Sequence, residues 1–476
     1  MKTHASSLFV ASLLLLFDAR PSLAAPYVQC PRPLLTKNAT LGVCAGAPAI
    51  PCNFNPHNPS ASTDPGCKNP ESATFYDTCK VLIDPVTGQA SGATTDSSVV
   101  CRSITCGDGH ITMADGNDSY IFGFADVTNV PEGDIVTRGN PLGPTGFPLG
   151  SANFSAPTFF AREGQSLYLT LTNSGMRERP DLFDPHTVHY HGFPNAASVF
   201  DGEPMASLSI GLGESLTYYY NNQYAGTYMW HCHVEAAEHM QMGMLGNLYI
   251  LPAQDATCAA ATAASGPAYC FKDAAKTQKW TGFAFSDKDG STGYDVMMFL
   301  QESAFDPVFH HADNSYQKIP FADMNDTYTM LNGRGYPDTV NPDPIVNGNG
   351  HPSQPIPAIA MTVDGTGSRV PAKIHAGDKV LVRLSSLSTV DFYTVTVLGI
   401  PMRIVGQGAQ PLRGPTGLNT SYATSSVTLG GGEAVDVILD TTGVAPGTYF
   451  LHTTNLNYLS NNDEDFGGMM TEIAVN

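Results

Sequence analysis

Within six residues the chain places His186, His189 and His191, and further on it places His231, Cys232 and His233, followed by His239 and Met244. Two imidazoles and one thiolate around copper in a trigonal arrangement, with a weak axial thioether, make the electron-transfer geometry called blue copper. His186, Cys232, His239 and Met244 supply every ligand type which that geometry needs. Six of the 14 histidines fall between positions 186 and 239, a density that chance does not explain.

Such ligands need a scaffold that holds them at fixed separations. From about residue 111 onward, short alternating runs separated by turn residues dominate, as in Leu167-x-Leu169-x-Leu171, the pattern of a strand with one buried face. The fold class expected is all-β, two tandem β-sandwich domains behind a Cys-rich loop extension. An internal repeat sets the domain number. Gly213-Glu-Ser-Leu parallels Gly432-Glu-Ala-Val, Gly226-Thr-Tyr-Met-Trp-His parallels Gly447-Thr-Tyr-Phe-Leu-His, and Gly243-Met244 parallels Gly468-Met469. Aligned through Gly192 and Gly399, His186, His189 and His191 become Tyr393, Thr396 and Leu398 in the second copy. His231 is retained as His452, whereas Cys232 and His233 become Thr453 and Thr454. Without a thiolate the second copy cannot form a second blue site.

The expected boundaries are a signal peptide over 1–24, a Cys/Pro/Gly-rich extension over 25–110, a copper-binding domain over 111–253, a linker over 254–275 and a second domain over 276–476. Lys2, the apolar run from Leu8 to Phe17 and the small residues Ser22 and Ala24 read as a secretory signal, so the mature chain is expected in the periplasm or outside the cell. Export favours disulfides among the ten cysteines. Cys101 with Cys106, and Cys258 with Cys270, are near enough in sequence to close small loops, and setting Cys232 aside leaves an odd thiol. A formal net charge of −20, from 23 Lys+Arg against 43 Asp+Glu, argues against nucleic acid as a partner, and no later stretch approaches the ~20 apolar residues of a membrane span.

The motifs resemble those of the multicopper oxidases, whose last cupredoxin domain carries His-Pro-x-His-x-His-Gly and later His-Cys-His, a further histidine and an axial Met or Leu. The match runs over roughly residues 111–476, with Thr187 in place of the proline. The resemblance implies that His186, Cys232, His239 and Met244 hold type 1 copper. It implies that His189, His191, His231 and His233 face a trinuclear cluster and, with Cys232, carry the catalysis. Five residues, 234–238, separate His-Cys-His from His239 where laccase-like members have three. A complete cluster in this family uses eight histidines from two domains, and this chain offers four plus His452. Two-domain relatives build the cluster between subunits of a homotrimer, so a neighbour's His452 is the expected complement. Electrons are expected to enter at whichever ring edge of His186 or His239 is exposed. They would come from a small-molecule or metal-ion donor and leave to dioxygen. Two other readings stand beside this one: an electron-transfer or copper-binding cupredoxin without turnover, and a nitrite-reductase-like enzyme, against which His189 and His233 speak. Met240 and Met242, at strand spacing, are read as packing residues, and His310, His311, His351 and His375 as surface residues outside the motifs.

Overall fold

The computed structural model describes residues 99–128, 151–194, 196–364 and 368–476, together with the backbone of 82–83 and 90–91. The expected signal and most of the Cys-rich extension, with Cys30, Cys44, Cys52, Cys67 and Cys79, lie outside these residues.

The chain is all-β and forms two cupredoxin-like sandwiches. In the first, β1 (Val99–Thr112), β2 (Asp118–Asp126), β4 (Ser166–Thr172) and β6 (Ser215–Asn221) form one sheet in the order β2-β1-β4-β6. The facing sheet has the order β3-β8-β7-β5, from β3 (Phe159–Arg162), β8 (Leu245–Leu251), β7 (Gly226–His231) and β5 (His189–His191). The pairs β1–β4 and β3–β8 are parallel and the others antiparallel. Between the sheets Trp230 lies against Phe124 and stacks on Phe159, with Leu169, Leu171 and Tyr218 closing the core.

In the second sandwich β9 (Val296–Phe305) pairs in parallel with β11 (Lys379–Ser386), and their sheet runs from β10 (Tyr328–Leu331) through β9, β11 and β15 (Glu433–Asp440) to β13 (Met402–Gln407). The opposing sheet is β14-β12-β16-β17, from β12 (Tyr393–Val397), β14 (Val427–Leu429), β16 (Gly447–Thr453) and β17 (Met470–Val475). The sandwiches join through the outer face of the β3-β8-β7-β5 sheet. Phe160, Tyr249 and Leu251 meet Met297, Leu381 and Ile438 there. Within this joint the Arg383 guanidinium and the Asp436 carboxylate pair at 3.0 Å, both buried, and Asp436 also accepts from the Thr227 hydroxyl at 2.7 Å.

Several expectations change. The 110/111 boundary falls inside β1, whose residues 99–105 pair with β4, so residues placed in the loop extension belong to the first sandwich. Ser103, Thr105 and Asp108 are polar yet buried, which hid the strand from a hydrophobic reading. Cys101 and Cys106 cannot close a loop, because five residues along one strand put them on opposite faces and ~16 Å apart. Cys101 is disulfide-bonded, while Cys106 is a free buried thiol that donates to Asn173 Oδ1 at 3.0 Å and is pushed up to about 12 by burial. Apart from Cys232, Cys106 is the free thiol among the described residues. Cys258 and Cys270 do form a disulfide, and it ties α2 (Ala253–Ala260) to the following turn, so the expected linker is braced. Met240 and Met242 lie on α1 (Ala236–Met242) rather than on a strand. His310 is buried on α3 (Pro307–Asn314) rather than at the surface.

Candidate metal centre

Strand alternation distributes the ligands. On β5, His189 and His191 share one face while Tyr190 turns into the core, and antiparallel pairing sets His189 beside His231 and Tyr190 beside Trp230. Beyond β7 the chain continues through Cys232 and His233, so Cys232 points inward between two histidines that point outward.

The inward group is His186, Cys232 and His239, whose donor atoms all lie within 4.8 Å of one another and whose side chains are buried. His239 Nδ1 is 3.2 Å from Cys232 Sγ and His186 Nδ1 is 3.8 Å from it. His186 is pinned by paired backbone hydrogen bonds with Ile210. The longer 234–238 segment enters α1, which carries His239 in its last turn. The Gly243 cap has φ +123, and a Cβ there would stand 2.9 Å from Phe154 and 3.3 Å from the Phe122 carbonyl. Beyond that cap the buried Met244 donates its N–H to the His239 carbonyl, and its own carbonyl accepts from Cys232 N–H. Burial pushes His239 down to about 4 and His186 well below the ordinary imidazole value, leaving both rings neutral with lone pairs free. Burial pushes the Cys232 thiol up to about 11, so a cation that binds the thiolate must displace a proton. Thr187 assists: its N–H points at Cys232 Sγ over 3.4 Å and its hydroxyl accepts from His233 N–H at 3.0 Å. A proline at this position would supply neither.

The outward group brings the rings of His189, His191, His231 and His233 within 4.8–5.4 Å, centroid to centroid, through the pairs 189–191, 189–231, 189–233, 191–231 and 231–233. Three of the rings are oriented through Nδ1. His189 donates to the Asp201 carbonyl (2.6 Å), His191 to the Gly432 carbonyl of the second sandwich (3.0 Å) and His231 to the Cys232 carbonyl (2.6 Å). With Nδ1 protonated, each Nε2 carries a lone pair. The Nε2 atoms of His191 and His231 then face each other across 3.2 Å with no proton between them, and burial holds His231 down to about 3 and lowers His191. Two lone pairs at that distance repel unless a cation sits between them. The donor chemistry of both groups fits copper.

His452 stands apart. It lies half-buried on β16, paired with Thr396 and Met470, and repeats the ring-to-carbonyl contact of His231 by donating to the Thr453 carbonyl at 2.8 Å. Among the described residues it joins no cluster of three metal-ligating side chains. The exposed ring edge expected for electron entry is absent, since His186 is 2% and His239 is 1% exposed.

Sequence reasoning missed the contribution of α3. Phe309 inserts into the core of the first sandwich, and Arg179 of that sandwich is bound to Asp313. His310 contacts the Tyr120 carbonyl through Nδ1 (2.7 Å) and the Gln241 carbonyl of α1 through Nε2 (3.0 Å). The Gln241 amide donates to Asp326 and Thr389 and accepts from Asp306 N–H. The helix carrying His239 is therefore held by the second sandwich, through contacts that no local sequence signal announces.

Beside His191 and His231 the joint between the sandwiches leaves a cavity of about 220 Å³, lined also by Ala237, Met240, Leu387, Ser388, Thr389 and two glycines.

Comparison with known proteins agrees with the motifs. A family described as Multicopper oxidase matches residues 149–255, and a second family of the same description matches residues 309–475. Among solved structures, the chain is similar to a blue copper oxidase from Nitrosomonas europaea, with a TM-score of 0.52 and 19% identity over 79% of this chain and 86% of that one. It is similar to a multicopper oxidase designated mgLAC, with a TM-score of 0.51 and 18% identity over 79% and 86%. At these identities the structural likeness speaks for the fold. No curated protein matches the sequence.

Proposed function

The chain belongs to the multicopper oxidase superfamily, and from that premise we propose that it is an exported copper oxidoreductase which takes single electrons from an organic or metal-ion donor and passes them to dioxygen. The observation that carries the reading is the placement of Cys232. Its sulfur stands with His186 and His239, and a single peptide bond on either side leads to His231 and His233 of the four-histidine group. In this reading His186, Cys232, His239 and Met244 hold type 1 copper, and His189, His191, His231 and His233 hold the second copper centre. When bound, the first copper supplies one-electron exchange and the second a site for dioxygen reduction.

The protein's own part is positional. Carbonyl acceptors aim the Nε2 atoms of His189, His191 and His231 at a common space. Burial keeps His186 and His239 neutral, and α3 braces α1, which carries His239, through His310. A donor does not touch the ligand rings, so its electron crosses a covering layer of protein. The cavity beside His191 and His231 is lined by no lysine or arginine, which suits a small neutral molecule such as dioxygen better than the nitrite anion. For domain limits we take 99–252 and 276–476, joined by the disulfide-braced segment between them.

His452 shares its strand face with Phe450, which is 40% exposed, and supports a homotrimer in which a neighbour's His452 completes the second centre. A second reading, an electron carrier without turnover, is favoured by the loss of the corresponding histidines at Tyr393, Thr396, Leu398 and Thr454 in the second copy. Copper counting with electron paramagnetic resonance, oxygen uptake and sedimentation analysis tests both. Type 1 and non-type-1 signals with oxygen uptake support the oxidase. One copper per chain without oxygen uptake overturns it in favour of the carrier, and nitrite turnover without oxygen uptake overturns both.

A further inference from the structure

At the other end of the first sandwich, six residues along β8 from the His231 register and so ~20 Å away, a cavity of about 240 Å³ opens between α2, the start of β9 and the hairpin formed by Met361–Val363 and Arg369–Pro371. Leu251, Val296, Met297 and Phe299 make an apolar floor, and the charged residues that line it are Arg162, Arg369, Asp255 and Asp295. Arg162 Nη1 is buried without a hydrogen-bond partner, and among the described residues no carboxylate stands within 4.0 Å of either guanidinium.

The nearby carboxylates are already engaged. Glu163 accepts from Ala253 N–H and the Ser286 hydroxyl. Asp295 pairs with Lys272 and accepts from Lys379 N–H. Asp255 accepts from Phe283 N–H at 3.0 Å, and burial pushes its carboxyl up to about 7, which reduces its negative charge near neutral pH. A buried guanidinium N–H left unpaired is costly, and this chain of net charge −20 has few cations to spare. We infer that this cavity is a binding site for a small amphipathic carboxylate, whose apolar body covers Leu251 and Phe299 and whose carboxylate meets Arg162 and Arg369. The site is independent of copper.

Calorimetric titration of the full-length, copper-loaded protein with benzoate, hexanoate, benzamide and sulfate tests it. The carboxylates should bind at ~1 mM or tighter, and benzamide at least ~10-fold more weakly. Arg162→Leu should weaken the carboxylates ~10–100-fold, the worth of a charged hydrogen bond, with Arg162→Lys recovering part of the loss. Arg369→Leu, on an exposed hairpin, should weaken binding with the fold and copper content intact, so a misfolded Arg162→Leu variant leaves the test decisive. The inference is overturned if neither carboxylate binds below about 10 mM. It is equally overturned if benzamide binds as well as benzoate, if sulfate matches the carboxylates, or if both leucine variants bind like wild type.

Discussion

Replacing His310 with leucine probes how far the second sandwich governs the metal centre. The ring touches no proposed ligand, yet it bridges the carbonyl of Gln241, two residues beyond His239, and that of Tyr120, two residues before Phe122, whose ring meets His239 edge-on at 5.4 Å. Burial pushes the imidazole down to about 4, so at neutral pH it has one N–H and donates to one of the two carbonyls. Leucine orphans that buried carbonyl at ~1–3 kcal/mol, and its own apolar burial offsets only part of the cost. Against a typical domain stability of ~5–15 kcal/mol this is a resolvable loss. Because α1 is then held only through Gln241 and α3 packing, His239 Nδ1 loses its fixed 3.2 Å placement against Cys232 Sγ. Copper affinity should fall ~10–100-fold, the usual effect of a lost supporting contact. Urea unfolding of the copper-free protein can be followed by the fluorescence of Trp230, buried in the first core, with Trp280 as the one other tryptophan. Copper titration followed in the visible band reports the site. His310→Gln, which keeps a donor, should lie between the two. A leucine variant with wild-type midpoint, band and affinity refutes the idea that α3 holds the copper helix.

Cys232→Ser should abolish the thiolate-to-copper charge-transfer absorption while the fold persists, because aromatic and aliphatic side chains supply the core around Trp230; a blue serine variant would contradict the assignment. Thr187→Pro removes the N–H that faces Cys232 Sγ, so the thiolate loses a stabilising donor and the reduction potential should fall, a shift that voltammetry reads directly. In the copper-free protein His231 and His239 sit at about 3 and about 4, below the ordinary 6.5, so the unfolded chain takes up protons first as pH falls. The stability they contribute is complete above pH ~6.5 and is lost toward pH ~4 at ~1–3 kcal/mol per pH unit, and an unfolding midpoint that stays level across that window would count against buried neutral rings.

The all-β class and the paired sandwiches were legible in the sequence because strand alternation and the Gly-Thr-Tyr repeat are local patterns, readable without knowing what packs on what. The ligand types were legible for a similar reason: His231, Cys232 and His233 are consecutive, and alternation alone sends the thiol one way and the imidazoles the other. What is local in sequence but irregular in backbone was harder. The segment after His233 is helical because Gly243 allows a cap at φ +123, and β1 extends back through Cys101 because its polar residues find partners across the sheet. The remaining features depend on contacts between residues far apart in the chain. The 3.2 Å approach of the His191 and His231 nitrogens needs the Gly432 carbonyl from the second sandwich. The hold on α1 needs α3, which belongs to the second sandwich, to pack into the core of the first. Sequence alone determined which atoms could bind metal, since that is a property of residue type and strand period. Tertiary structure decided how they are oriented, covered and held, since those depend on surfaces that meet only when the two sandwiches close on each other.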